Sequence, residues 1–347
     1  MLDRSTRIGL LAPITWQIPP LGYGPWERVV TDIARGLVKR GYTDVSIIAT
    51  KEARVHGAKT IGVVDAPLGE PSPDNVLEIN HKHIEFAYEY AEENLDLIHN
   101  HFNCQPLELL SQLTIPAVTT LHGSGIEPDA KAGYSYQWQM PFVSISNAER
   151  QFVPELNYVA TVYNGIDFDR FPFESSPEPY LASIGRIHPT KGIQNAVELA
   201  RRLDWPLKIA GLIAEDQQPY FCEQIKPFLN DKIEYLGSLP QEEVSLLVRK
   251  ATALTGLIEW EEPFGLSVAE AMASGTPVIC TPRGSHPEIV ADGETGVLVN
   301  NVDEAVERFA EVTTIDRLRC RNLAKERFSV DTMTAGYLDV YERLVGS

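Results

Sequence analysis

At 347 residues the chain is long for one core and suits two domains of about 150 to 170 residues each. Hydrophobic residues make up 44% and charged residues 22%, the proportions of a folded globular protein, which excludes long disordered stretches. A formal net charge of −18 sets the surface against the phosphates of nucleic acid and anionic lipid, yet leaves room for a local basic pocket around a small anion.

The apolar run that opens the chain stops at Pro13, too soon for the core of a secretion signal. No window approaches ~18 apolar residues, so no membrane span is expected. Short β-rich runs then alternate with helical patterns. Strands are predicted at Arg7–Ala12, Val45–Thr50, Asp96–His101, Ala117–His122, Phe142–Ser146 and Ala160–Tyr163. Between them, Val29, Val30, Ile33 and Leu37 share one helical face, and Ile84, Tyr88, Ala91 and Leu95 step by helical intervals. Continuous apolar strands alternating with amphipathic helices indicate a parallel sheet covered on both faces.

The proline-rich stretch Phe171–Pro179 suits an extended connector. Beyond it the pattern restarts, with strands predicted at Tyr180–Ile187, Leu207–Leu212, Ile233–Leu236, Ala253–Ile258, Pro277–Thr281 and Gly296–Val299. Helices are predicted near 191–202, 216–229, 241–250, 265–274, 303–312 and 315–327. A last segment, about 330–345, carries Met333, Tyr337, Val340 and Leu344 at helical spacing and fits either domain. The expected architecture is α/β: two Rossmann-like, doubly wound domains. Such sheets bind ligands beyond the carboxyl ends of their strands, so two of them facing one another would form a deep cleft.

Chemistry-bearing residues gather at those strand ends. Glu262-Pro-Phe264-Gly265-Leu266-Ser-Val-Ala-Glu270 follows a predicted strand and contains a predicted helix start. Free N–H groups there suit a phosphate, and Gly265 allows close approach. Glu262 and Glu270 could accept hydrogen bonds from two hydroxyl-bearing parts of one ligand, although the spacing is equally that of an acidic surface helix. Gly185-Arg186-Ile-His-Pro-Thr190-Lys191-Gly192 follows the first strand of the second half. Thr190 could cap the next helix, and Arg186 and Lys191 could clamp a diphosphate or simply be solvated.

The loop Pro19 to Trp26 places Gly22 and Gly24 between the first strand and the first helix. Glycines at such a turn favour close approach of phosphate, with a plain turn in which Pro25 opens the helix as the alternative; the loop is not G-x-G-x-x-G, which argues against a nicotinamide dehydrogenase. His99, His101 and His122 end two strands. Of these His122 is the functional candidate; His99-x-His101 could bind metal but lacks an evident third ligand. Asp167-Phe-Asp169 has an Asp-x-Asp form but follows the turn signal Asn164-Gly165, and reads as a connector. Tyr134, Tyr136 and Trp138 could stack on a sugar or pack a loop. Cys104, Cys222, Cys280 and Cys320 form no Cys-x-x-Cys pair and are expected as reduced thiols in a cytoplasm.

Together these residues resemble the retaining glycosyltransferases of family 4, which have the GT-B fold. The resemblance rests on Gly185-Arg186, Lys191-Gly192, Asn164-Gly165-Ile166-Asp167, the run from Glu262 through Val278, Gly284-Ser-His-Pro-Glu288 and Asp292-Gly-Glu-Thr-Gly296. It implies that Glu262 contacts the donor sugar and Glu270 the ribose. Backbone N–H groups around Phe264, Gly265 and Leu266 would face sugar and phosphates. Arg186 and Lys191 would neutralise the diphosphate, with Gly185 and Gly24 close to it, and His122 would contact the transferred sugar. The catalytic group is thus His122, Glu262, Arg186 and Lys191. One departure stands out: Gly24 is followed by Pro25, which has no N–H to offer, where the family often has a second glycine.

The resemblance also implies domains of 1–168 with 330–347 on the acceptor side and 169–329 on the donor side. Expected partners are a nucleotide-sugar co-substrate and a small-molecule, glycan or lipid-linked acceptor; neither a cofactor nor a metal is expected. The implied reaction is transfer of a hexosyl unit from a UDP- or GDP-sugar to a hydroxyl with retention. A nucleotide-sugar 2-epimerase and a non-catalytic sugar- or nucleotide-binding protein are the competing readings. The base, the sugar, the acceptor and the oligomeric state are left open.

Overall fold

The structure, a computed structural model, describes residues 2–22 and 24–346. The chain divides into two compact units. One comprises the described residues up to Gly165 and those from Val330 onward; the other is 166–329. The two crossings are adjacent in each unit. Ile166 N–H donates to Phe328 O at 2.7 Å, and a Cβ on Gly165 would lie 2.8 Å from Val330 Cα. Arg321 donates to Phe168 O and Phe171 O, so this stretch is held by the second unit from Ile166, slightly earlier than the boundary drawn from sequence.

The first unit holds strands β1 (Ile8–Leu11), β2 (Val45–Ile48), β3 (Lys59–Ile61), β4 (Leu97–Asn100), β5 (Ala117–Thr120), β6 (Phe142–Ser144) and β7 (Tyr158–Thr161). They form one sheet in the order β3-β2-β1-β4-β5-β6-β7. All pairs are parallel. The second unit holds β8 (Leu181–Ile184), β9 (Leu207–Ala210), β10 (Ile233–Tyr235), β11 (Ala253–Gly256), β12 (Val278–Cys280) and β13 (Gly296–Leu298). Their order is β10-β9-β8-β11-β12-β13, again all parallel. The order reverses between β1 and β4 in one sheet and between β8 and β11 in the other. Those are the switch points where doubly wound sheets open a crevice at their carboxyl ends.

The inner strands are short and buried, as expected when helices cover both faces, whereas the outer strands β3, β7 and β10 are only partly covered. On the first sheet, Val30, Ile33, Ala34 and Leu37 of the helix Pro25–Lys39 pack with Met333, Tyr337, Val340 and Tyr341 of the C-terminal helix Val330–Val345. On the second, Ile193, Val197 and Ala200 of the helix Ile193–Leu203 pack with Leu181, Leu207 and Ile209. Cys280 and Cys320 are buried, and all four cysteines are free. Among the described residues no helix is long and apolar enough to cross a membrane.

Three local expectations change. The strand expected at Ala160–Tyr163 runs from Tyr158 to Thr161 instead. Lys59–Ile61 forms an edge strand too short and too polar to register as apolar periodicity. The helix expected over 216–229 breaks into short turns, including a π-turn at Phe221–Ile225 and a 3-10 turn at Lys226–Phe228. Pro227 lacks the N–H that would continue the ladder and crowds the preceding turn.

Arg317 braces the second sheet from its amino edge. Its side chain is 9% exposed, and its guanidinium donates to Glu174 O, Ala251 O, Arg249 O and Thr276 Oγ1 at 2.6–3.0 Å. Ala251 and Thr276 lie two residues before β11 and β12. Arg317→Ala strands those buried acceptors and should lower stability by about 2–4 kcal/mol. Arg319→Ala, on an exposed pair with Glu294, should cost under about 1 kcal/mol. Thermal unfolding of both variants checks the contrast.

Candidate active site

In the second unit two loops meet at the switch point. After β8 the chain passes Gly185 and the exposed Arg186, then makes a 3-10 turn at Pro189–Lys191 before the helix starts at Ile193. Thr190 therefore does not cap that helix, contrary to expectation. Its hydroxyl pairs with His188 Nδ1 at 2.8 Å, and Gly192 is the capping residue. Gly192 has φ 68°, and a Cβ there would lie 1.9 Å from Leu257 O, so only glycine lets this turn pack on the loop leaving β11. Glu259 N–H donates to Thr190 O at 2.8 Å and completes the lacing.

That packing brings Lys191 and Glu262 into contact. Lys191 Nζ lies 2.9 Å from Glu262 Oε2, with the two side chains 23% and 15% exposed. Trp260 joins both: its indole N–H donates to Glu262 Oε2 at 3.1 Å, and Lys191 Nζ lies 4.2 Å from its ring centroid. A half-buried ammonium, carboxylate and indole thus satisfy one another. Arg186 stands at the same strand end and makes no ion pair with another described residue. No atom lies within 4 Å of where a Cβ on Gly185 would be, which leaves open space beside that backbone.

Gly265 caps the helix Leu266–Ala273: Val268 N–H and Ala269 N–H both donate to Gly265 O at 3.1 Å, and the N–H groups ahead of them belong to the helix start, where no carbonyl of a preceding turn is available. Glu270 begins its second turn. The Phe264 side chain is core, 2% exposed and edge-on to Phe328 at 5.8 Å, so only its backbone is available to a ligand. The loop after β12 closes over Glu262: Ser285 N–H donates to Glu262 O at 2.8 Å, and Gly284 N–H to Glu261 Oε2 at 2.6 Å. A Cβ on Gly284 would sit 2.3 Å from Glu262 N and O, which explains a glycine at φ 56°.

The first unit gathers histidines at the carboxyl ends of β4 and β5. His101 Nδ1 lies 2.9 Å from His122 Nε2, and the Trp26 ring stacks on His122 at 5.6 Å. His99 is buried between Tyr341 Oη at 2.6 Å and Thr120 Oγ1 at 2.7 Å. Burial pushes all three rings toward the neutral form, His122 down to about 3. Gly24 caps the helix that Pro25 opens, so Trp26 carries that helix's first N–H.

Glu149, fully buried, pins the loop that carries His122. One carboxylate oxygen accepts from Gly123 N–H at 2.5 Å and the other from Ile145 N–H at 2.7 Å. Burial nonetheless raises its pKa to about 7.

Asp167 and Asp169 form a turn, with Asp169 N–H donating to Asp167 Oδ1 at 3.1 Å. Among the described residues no three His, Cys, Asp or Glu side chains are grouped to hold a metal ion. The aromatic stretch divides: Tyr134 is wholly buried, Tyr136 is 86% exposed and Trp138 is 49% exposed.

Two family descriptions cover most of this chain. Residues 166–327 match "Glycosyl transferases group 1", and residues 26–170 match "Glycosyltransferase Family 4". The chain belongs to the group 1, family 4 glycosyltransferases.

An uncharacterised glycosyltransferase of Methanocaldococcus jannaschii is 27% identical over 73% of this chain and 76% of its own length. Sucrose-phosphate synthase from Thermosynechococcus elongatus superposes with a TM-score of 0.81 at 17% identity, covering 98% of this chain and 99% of that one. Anabaena HepE, crystallised with UDP-glucose, gives 0.74 at 18% identity over 97% of this chain and 100% of that one. The structural likenesses establish the GT-B fold, and the family match together with the glycosyltransferase relative makes the protein a transferase enzyme.

In this glycosyltransferase the sequence candidates Lys191 and Glu262 come into contact, while Trp260, Glu149 and His286, which the structure places beside candidate residues, have no individual role in the sequence analysis. His286 is 1% exposed and packs against Gly265: its Nε2 would lie 3.3 Å from a Cβ there. Glu149 did leave a trace, because Ser146-Asn-Ala-Glu149 has the form of a capping box. Ser146 Oγ does accept from Glu149 N–H at 2.9 Å. The carboxylate, however, turns away to Gly123 and Ile145. Trp260 leaves no trace beyond lying two residues before Glu262.

The Glu149 carboxyl supplies a pH test. Its folded pKa is raised above that of the unfolded chain, so the native state binds the extra proton and the contribution of Glu149 to stability is fully present only below about pH 4.5. It declines as pH rises toward 7, by on the order of 3 kcal/mol. Compared with wild type, Glu149→Gln should have a melting temperature that rises more, or falls less, between pH 5 and 7, because the buried histidines contribute equally to both proteins. An unchanged pH slope would contradict the assignment.

Proposed function

We propose that this enzyme transfers a hexosyl unit from a nucleoside-diphosphate sugar, UDP- or GDP-linked, to an acceptor hydroxyl with retention of anomeric configuration. The observation that carries the reading is the Lys191–Glu262–Trp260 cluster, built from the loops leaving the switch-point strands of the second unit. A cation for phosphate and a carboxylate for sugar hydroxyls are there in direct contact. The UDP-glucose complex of HepE supports the UDP form of the donor.

In this reading Arg186, Lys191 and the N–H groups at Phe264, Gly265 and Leu266 receive the diphosphate. Glu262 accepts from sugar hydroxyls and Glu270 from the ribose. Gly185 and Gly24 let phosphate approach the backbone, and His122 meets the transferred sugar. As the bond from C1 to the diphosphate oxygen breaks, negative charge grows on the leaving group, and pre-positioned cations and N–H groups stabilise it without reorganising. The acceptor oxygen bonds to C1 from the same face, and its proton passes to the leaving phosphate. His122 is neutral across the working range and serves as a hydrogen-bonding group rather than a proton source. No metal or cofactor is assigned to the reaction.

Thermal shift with UDP-, GDP-, ADP- and dTDP-sugars should single out one donor, since a ligand that binds only the native state raises apparent stability. Against that donor, Glu262→Ala should lower kcat/KM by about 10²-fold. Its affinity for the free nucleoside diphosphate should not fall, because removing the carboxylate frees Lys191 for the phosphates. Equal losses in both would remove Glu262 from sugar recognition. NMR of the product should show the donor's anomeric configuration; an inverted linkage would overturn the retaining mechanism.

A further inference from the structure

The histidine pair of the first unit fixes more than a location. Two imidazole nitrogens 2.9 Å apart need one proton between them, on one ring or the other. Both rings are held neutral by burial, so exactly one tautomeric direction operates at a time in each. The surroundings of His101 choose between the two. Its second nitrogen, Nε2, is buried and has no hydrogen-bond partner. Were His122 the donor, His101 Nε2 would carry a buried N–H with no acceptor, the rarer and costlier defect. Were His101 the donor, through Nδ1, its Nε2 would hold only an unused lone pair, which proteins tolerate more readily.

The neighbouring network offers His101 no other proton exchange. Thr120 Oγ1 donates to Tyr337 Oη at 3.2 Å, so His99 Nε2–H must donate to Thr120, and His99 Nδ1 must accept from Tyr341. Every polar atom of His99 is thereby committed. Its ring lies against His101 at 3.9 Å between centroids and limits rotation of that imidazole. Trp26 covers one face of His122, and Glu149 anchors the residue that follows it.

We propose that His101 is a positioning residue whose Nδ1–H donates to His122 Nε2 and so presents His122 to substrate as a neutral Nδ1–H donor. The role in turnover rests on the reading above, that His122 meets the transferred sugar. The tautomer itself does not. A neutral Nδ1–H can hold a sugar oxygen in a fixed direction but cannot accept a hydroxyl proton, so His122 specifies an oxygen acceptor at that point of the ligand.

The test joins nitrogen NMR of the full chain, uniformly 15N-histidine labelled, with nucleoside diphosphate release, in the absence of acceptor, from the donor sugar that thermal shift singles out. The His122 signals are assigned by their loss in His122→Ala. In the wild type they should show a protonated Nδ1 and a bare Nε2. His101→Asn puts an amide N–H where Nδ1 stood and should keep both that signature and a kcat within about threefold of wild type. His101→Leu should lose the single signature and lower kcat by about tenfold or more, with KM moving less. A wild-type His122 protonated on Nε2 overturns the proposal, as does a Leu variant with unchanged His122 signals and unchanged kcat. If wild type releases no nucleoside diphosphate from any donor of the panel while the nitrogen signals are as expected, the functional reading fails and the tautomer assignment stands.

Discussion

In each sheet every strand points the same way, and the rest of the arrangement depends on that. Parallel pairing sends every loop that leaves a carboxyl end to one edge, and the reversal of strand order parts neighbouring loops where a ligand can enter. The loop carrying Gly24 leaves β1, and His101 follows β4. The Arg186–Lys191 loop leaves β8, and Glu262 follows β11. Residues more than seventy positions apart in sequence, Lys191 and Glu262, come within hydrogen-bond reach because β8 and β11 are adjacent strands. The opposite edge of the second sheet is held by Arg317, which leaves the carboxyl edge free to carry irregular loops.

How much of this is legible in the sequence follows from what kind of interaction is involved. Apolar runs and helical periodicity mark the alternation of strands and helices, because burial on both faces leaves a strong compositional trace. Where backbone chemistry decides, that trace fades: Pro227 dismantles the helix expected over 216–229, and Gly192 with Pro189 inserts a 3-10 turn that takes Thr190 away from its expected cap. The candidate site is legible where charge and strand end coincide, as at Lys191 and Glu262, which the structure brings into contact. It is unreadable where a residue acts on another loop's backbone. Glu149 looks like half of a capping box and becomes a staple for Gly123 and Ile145, a role fixed only by which strands lie side by side.

The buried polar groups of the first unit would be a poor choice for stability alone. His99, His101, Thr120, Tyr337 and Tyr341 could be replaced by apolar side chains without the burden of desolvating polar atoms. What the network provides is direction. Once Thr120 donates to Tyr337, each remaining bond has only one workable sense as far as His99. Because Tyr337 and Tyr341 belong to the C-terminal helix, the last segment of the chain helps orient the histidines that β4 and β5 deliver.

A different economy governs the second unit, where an acidic protein must receive an anion. Lys191 does not wait as a bare cation: its charge is met by Glu262 at 2.9 Å and by the Trp260 ring. On the functional reading proposed above, a diphosphate draws Lys191 away because it offers more negative charge than one carboxylate. Glu262 is then left half-buried, and two unit charges at such separations interact by about 4 kcal/mol at an effective dielectric near 20. That loss is made good only if hydroxyl groups reach the carboxylate. A nucleoside diphosphate without its sugar would take the ammonium and strand the acid, whereas the complete donor would satisfy both. Trp260 can keep its N–H on Glu262 throughout, holding the carboxylate in place while its partner changes. Phosphate recognition and sugar recognition thus become a single linked event, and the linkage lies in the ion pair itself.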